Sequence, residues 1–385
     1  MEQLTTATLT QLPQVRALGR HAGRDPLTLF WTASGMELEF TGSELWVDFF
    51  ADYEVVEPWV SVELNGAWVA RFAVNPGKSR ICLFRGMTPG KAKHLRLLKD
   101  VQAMHDDPAH LLQITGLEYA GGEFLPLPEP KYRLEFVGDS ITSDQVSGIG
   151  TMVAHRLNAQ DVLNAACGYA TCSDWHEGDR NITPVTLIEP PNTNTADNVL
   201  SNQVRRVLQA LTPKGSIIRW TVDGVEYAIP AEIGIGTGTL STPDVIYIAI
   251  STNDGNQPEN APADDFAVVC ELPYAALTRT SMASSLLWAV RTLQTVCPNA
   301  AIFLATPLQT YTPQEWMDES HGLLKRRVIQ KVAQKTGVHC IDSFYGSGFD
   351  RSVARSHGEV HPDEEWKIRI ADFVAKEIES TLYKE

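Results

Sequence analysis

At about residue 131 the hydrophobic pattern of this 385-residue chain changes its period, and that change restricts the possible folds more than any other feature. Up to residue 126 the apolar residues alternate or come in short runs: TLFWTAS, MELEFTG, ELWVDFFA, WVSVELNG, AWVARFAV, SRICLFRG, HLRLLKD and HLLQITGLEYA, with Gly, Asn and Pro between them. Successive side chains on a strand point to opposite faces, so such segments predict strands with one buried face. Many short strands with no long helical pattern predict a β-sandwich of jelly-roll type over 1–126. The proline-rich stretch LPLPEPKYR at 125–133 reads as a linker.

Beyond it come short, mostly apolar runs: RLEFV (133–137), DVLNAA (161–166), DVIYIAI (244–250), AIFLAT (301–306) and VHCID (338–342). Helical patterns lie between or after them, at about 267–296, 318–336 and 363–380. Buried strands alternating with helices predict an α/β domain over 131–385, a three-layer parallel sheet flanked by helices. In such sheets ligands bind beyond the carboxyl ends of the strands. A segment at about 177–243, rich in Pro, Asn, Thr and Gly, interrupts the alternation. It reads as an insertion, a lid or a wall of the site, with one helix (NVLSNQVRRVLQAL) and one strand pair (SIIRWTV, VEYAIP).

The formal net charge is −15. A surface that negative repels phosphate backbones and anionic headgroups, which argues against nucleic acid and membranes as partners and favours a neutral substrate. No apolar run reaches the ~18–20 residues of a membrane helix. The start, MEQLTTATLTQLPQVRALGR, lacks a basic segment followed by an apolar one. The chain reads as cytoplasmic as written, or as secreted or periplasmic if a signal peptide was replaced by Met1. Oligomeric state is left open. The six cysteines, Cys82, Cys167, Cys172, Cys270, Cys297 and Cys340, contain no CxxC pair and read as free, buried thiols; a Cys167–Cys172 bridge is not demanded.

Four short pieces fall at the predicted strand ends or just before the last helix. They are Ser140 in VGDSIT, Gly168 in NAACGYAT, Asn253 in IAISTND and His361 in EVHPDEEW. Each alone is a weak signal; their order and placement together are specific. A serine hydroxyl is a poor nucleophile until a base takes its proton, and His361 is the candidate base. An oxyanion formed at the attacked carbonyl needs fixed donors. The Ser140 N–H, the Gly168 N–H and the Asn253 side-chain amide supply three. Asp139 reads as a brace of the turn.

The set GDSIT at 138–142, Gly168, STND at 251–254 and VHP at 360–362 resembles the SGNH (GDSL-type) hydrolase superfamily. With the N-terminal segments LFWTASGMELEFTGSELWVDF, GMTPGKAKHLRLLKD and GLEYAGGEF, the order of pieces looks like carbohydrate esterase family two, acetyl esterases with an N-terminal jelly-roll domain. That resemblance implies removal of O-acetyl groups from plant polysaccharide or oligosaccharide, with Ser140 and His361 catalytic, an oxyanion hole of Ser140, Gly168 and Asn253, and no metal or cofactor. Three features depart from the pattern. Many superfamily members carry Asp three residues before the histidine, where Gly358 stands. Ser251 stands where Gly is common, and the insertion is larger than expected. Family two includes members that work with a Ser–His pair alone. The group orienting His361 is expected to be a main-chain oxygen of the 356–359 turn, with Glu359, a possible third member, or Asp363 as rivals.

Trp175, His176 and Trp366 are candidate substrate-binding residues, since aromatic faces suit the apolar edges of sugar rings. Trp31, Trp46, Trp59 and Trp68 are expected in the core of the β-domain. The His105–His110 segment reads as a turn rather than a metal site, the Gly234, Gly236, Gly238 run lacks the context of a phosphate loop, and His357 ranks behind His361 as base. Two alternatives remain: an SGNH lipase or thioesterase acting on acyl esters, and a non-catalytic glycan-binding protein.

Overall fold

The computed structural model of the chain describes residues 3–19, 21–29, 31–54, 57–100, 110–143, 146, 148–159, 161–164, 166, 168, 170–174, 199–210, 217–230, 242–255, 262–312 and 317–383. The described residues fall into two compact units, those up to Pro130 and those from Lys131 on.

The first unit is all-β. One six-stranded sheet runs His21–Ala22, Leu27–Leu29, Leu111–Ala120, Glu44–Asp52, Gly77–Phe84, with Thr5–Ala7 also on Leu111–Ala120. The other runs Phe124–Leu125, Gly35–Phe40, Lys93–Lys99, Trp59–Leu64, Ala67–Ala73, with Arg16–Leu18 on Gly35–Phe40. Every pairing in both is antiparallel. Alternation explains the packing. In Glu44–Asp52, Leu45, Val47, Phe49 and Ala51 are buried and their neighbours are not. They join Met36, Leu38, Phe40, Val60, Val62, Leu95 and Leu97 of the second sheet in one core. Two sheets that share a core form a sandwich.

The same alternation corrects the expectation for the tryptophans. Only Trp31 is buried. Trp46 lies between inward-facing Leu45 and Val47, so it faces out, and its Nε1 donates to Glu44 at 2.6 Å. Trp59 carries the Arg71 guanidinium 4.4 Å above its ring, and Trp68, on an edge strand, is 46% exposed.

The second unit holds a five-stranded parallel sheet in the order Asp161–Asn164, Arg133–Gly138, Val245–Ala249, Ala301–Ala305, His339–Ile341. Leu134, Phe136, Val137, Ile246, Ile248, Phe303 and Leu304 are buried, as the apolar runs require. Two helix groups pack on this framework. Ile149–Arg156 lies against the last helix, Glu364–Leu382, and Met282–Val296 lies against Leu200–Ala210 and Glu319–Thr336. Asp318 and Asp363 cap the helices that follow them, accepting the N–H of His321 and Trp366.

Two expectations fail locally. The single helical pattern at 267–296 is broken into Phe266–Val269, a 3₁₀ turn at Tyr274–Ala276, and Met282–Val296. Pro273 precedes that turn, Arg279 has φ 60°, and Ser281 starts a new helix by accepting the Ser284 N–H. Among the described cysteines only Cys172 and Cys297 are buried as expected: Cys270 is half-buried, and Cys82 and Cys340 are exposed, each on an edge strand of its sheet.

Candidate active site

The parallel sheet reverses its winding at Arg133–Gly138, which pairs with the strands on both sides, the next in sequence and Val245–Ala249. A crevice opens at such a switch point beyond the carboxyl ends of the strands, and the residues that follow these two strands line it.

Gly138 ends the first strand. A Cβ there would lie 2.4 Å from Thr142 Oγ1 and 2.6 Å from Ala249 O, so the tight turn into 140–143 admits only glycine. The Gln203 amide binds both polar atoms of Gly138: its Oε1 accepts the Gly138 N–H and its Nε2 donates to the Gly138 carbonyl, each at 2.8 Å. Asp139 is buried; its carboxylate accepts the N–H of Ile141 at 3.1 Å and of Thr252 at 3.2 Å. Burial raises its pKa, against the pull of these hydrogen bonds.

Ser140 follows, half-buried. Its Oγ is 2.8 Å from His361 Nε2. Among the described residues nothing accepts the Ser140 N–H, which therefore stands open at the start of the turn.

Asn253 comes after the third strand and is buried. One hydrogen of its Nδ2 goes to Ala170 O at 3.0 Å, and the second meets no acceptor among the described residues. Gly168, half-buried in a turn, stands two residues before Ala170. Asp254, fully buried, holds the same loop: it accepts the N–H of Cys172 (2.8 Å), the N–H of Ser173 (3.0 Å) and the Ser173 hydroxyl (2.7 Å).

His361 is exposed, in the bend before the last helix, and its own N–H donates to Gly358 O at 3.0 Å. This is its one bond to the 356–359 turn: among the described residues nothing accepts from Nδ1, so the expected main-chain oxygen partner is not seen. Glu359 sits at φ 58° and its carboxylate does not bond the imidazole. Asp363 binds another ring, His357 Nδ1, at 2.7 Å. That bond pulls the Asp363 carboxyl below the usual carboxylate range, helped by the Trp366 N–H.

Trp366 opens the last helix with Phe349 at 5.6 Å on one side and the Arg369 guanidinium 4.8 Å from its ring. It makes no bond or ring contact with Ser140 or His361 among the described residues. Trp175 and His176, Cys167, the 234–238 glycine run and 105–109 lie outside the described residues. His110, at the end of that last segment, is buried with its Nε2 2.7 Å from Lys99 Nζ.

The structure thus brings together Ser140 and His361, and ties the segments bearing Ser140, Gly168 and Asn253 through Asp139, Asp254 and Asn253 itself. Two of the supporting residues were not found from sequence. Gln203 sits on a helix of the insertion, whose register against the sheet no local pattern reveals. Asp254 was visible in the STND run, but nothing marked it as buried.

Fold and geometry define a class: a parallel-sheet α/β unit with a Ser–His pair at its switch point, preceded by an antiparallel sandwich. No family model matches the chain, and no curated protein matches it. Solved structures do. An acetyl xylan esterase of the rumen bacterium Butyrivibrio proteoclasticus aligns over 98% of both chains at 24% identity with a TM-score of 0.67. A family two carbohydrate esterase from Cellvibrio japonicus covers 99% of this chain and 98% of its own at 17% identity, TM-score 0.65. A salicylyl-acyltransferase from a tetracycline biosynthetic pathway aligns over 98% of both chains at 13% identity, TM-score 0.57. Over nearly its whole length, then, the chain has the fold of the family-two carbohydrate esterases.

Proposed function

We propose that this protein is a serine esterase that removes O-acetyl groups from carbohydrate. The observation that carries the reading is the 2.8 Å contact of Ser140 Oγ with His361 Nε2, beside the open Ser140 N–H, at the switch point of the sheet. We read residues 1–126 as a jelly roll and 131–385 as an SGNH hydrolase domain.

Ser140 Oγ attacks the acetyl carbonyl carbon while His361 Nε2 takes its proton. The Ser140 N–H, the Gly168 N–H and the free hydrogen of Asn253 Nδ2 hold the oxyanion. Collapse breaks the bond to the sugar oxygen, which leaves with the proton from His361. Water, deprotonated by the same imidazole, then attacks the acetyl-serine, and acetate departs. The likeness in fold to an acetyl xylan esterase supports acetyl as the acyl group and a glycan as the alcohol.

The test is acetate release from acetylated xylan, mannan and pectin, with p-nitrophenyl esters of rising chain length beside them. Acetyl-selective hydrolysis that Ser140→Ala abolishes is the expected result. Preference for long acyl chains would point to a lipase or thioesterase, and no hydrolysis at all to a binding protein.

A further inference from the structure

Beneath the candidate oxyanion hole lies a buried charge cluster that the mechanism above does not use. Two carboxylates knit the hole together. Asp139 ties the Ser140 turn to Thr252, and Asp254 ties the 252–254 segment to the loop after Gly168. Both are almost wholly buried. Lys325, on the helix Glu319–Thr336, is buried behind them, and its Nζ donates to Thr252 O at 3.0 Å, one residue before Asn253.

We propose that Lys325 is a positioning residue for the oxyanion hole: it fixes the Thr252–Asp254 segment from behind and offsets the charge of the carboxylates that bind the three segments together. The inference rests on the esterase reading. Its physical basis is twofold. Burial raises the pKa of both carboxyls against the pull of their hydrogen bonds; where they are ionised, the new negative charge on the substrate oxygen meets like charge in a dry site, which repels strongly unless a cation compensates. A misplacement of a donor by about 1 Å can cost on the order of 10²-fold in rate. Burying a lysine is also costly. An apolar side chain would fill the same space more cheaply, so packing alone does not account for the ammonium here.

The groups facing the amine are Asp254, Asp139 and the helix cap Asp318, with Glu319 and Arg351 lining the small cavity beside it. Burial lowers the Lys325 pKa to about 8, against the pull of Asp254, Asp139 and Asp318. On that value the amine is a cation at neutral pH and loses its proton in mild alkali.

The experiment measures kcat and KM on a soluble acetyl ester from about pH 6 to 10, for wild type, Lys325→Arg and Lys325→Met, with competent sites counted by stoichiometric phosphonate labelling of Ser140. In wild type we expect kcat to fall through about pH 8 while KM holds. Lys325→Met should lower kcat per labelled site about 10²-fold at neutral pH and abolish the alkaline fall. Lys325→Arg, which keeps its proton, should recover most of that loss and move the fall above about pH 10. A kcat of Lys325→Met within about threefold of wild type overturns the inference. If Lys325→Met does not fold, Lys325→Gln, which can still donate to Thr252 O but carries no charge, is measured in the same way, and a kcat within about threefold of wild type overturns the inference. Hydrolysis that survives Ser140→Ala overturns the esterase reading and this inference with it; Ser140-dependent hydrolysis indifferent to Lys325 overturns this inference alone.

Discussion

The carboxylate nearest in sequence to His361 on its C-terminal side serves a different histidine: Asp363 Oδ2 lies 2.7 Å from His357 Nδ1. Asp363 also caps the last helix, and both tasks hold it away from the imidazole that touches Ser140. Among the described residues no carboxylate bonds His361 Nδ1. In the proposed reading the pair therefore works as a dyad, and the predictions for the nearby acids follow from that.

The first prediction concerns the two acids near the histidine. A true triad carboxylate can be worth about 10⁴ in kcat. Glu359→Gln and Asp363→Ala should each leave kcat within about tenfold of wild type on an acetyl ester, because neither touches the ring. Asp363→Ala should instead cost about 0.5–2 kcal/mol of stability through the lost helix cap. The Asp363 carboxyl titrates below its unfolded value, so its contribution is present above the unfolded pKa and disappears as pH falls through the folded one. Comparing denaturation of wild type and variant in acid and at neutral pH checks the sign.

Restoring the missing aspartate should fail. Gly358 has φ 103°, and a Cβ there would lie 2.0 Å from His361 O. Gly358→Asp therefore displaces the residue it would need to orient, and strains the backbone by about 1–3 kcal/mol. We expect lower kcat and a lower melting temperature. A gain in kcat would show that the turn can relax into a triad.

Asn253 donates one hydrogen to Ala170 O, and its second meets no acceptor among the described residues. Asn253→Ala should lower kcat roughly 10²–10³-fold with little change in KM, since the second bond forms only as the oxyanion does. A raised KM at constant kcat would assign Asn253 to ground-state binding.

Lys99 should give the sandwich its own pH dependence. The amine is fully buried, 2.7 Å from His110 Nε2, and burial lowers its pKa from 10.5 to about 7. The unfolded chain binds this proton more tightly, so between those two values stability rises with pH and is lost as pH falls through the folded value. Lys99→Met should flatten that slope in urea titrations across the window. An unchanged slope would mean that the amine stays protonated in the fold.

Much of the fold was legible in the residues themselves. Alternation in ELWVDFFA names its own buried face, and mostly apolar runs such as DVIYIAI demand a sheet covered on both sides. These are local consequences of strand geometry. The helix starts at Asp318 and Asp363 are equally local, one side chain accepting an N–H three residues on. The candidates Ser140 and His361 could be named because a serine nucleophile at a strand end asks for a base, and a histidine stands just before the last helix.

Only the tertiary structure decided what lies next to them. Ser140 and His361 are 221 residues apart in the chain, and their contact depends on the strand order of the parallel sheet. Asp363 was a fair rival for the triad by spacing, and its engagement by His357 is a matter of side-chain direction at one turn. Gln203 on Gly138 and Lys325 on Thr252 leave no mark in local pattern at all. A buried polar group is chosen by the partner it must bond, and that partner is set by how distant segments pack, whereas alternation and capping are set within a few residues.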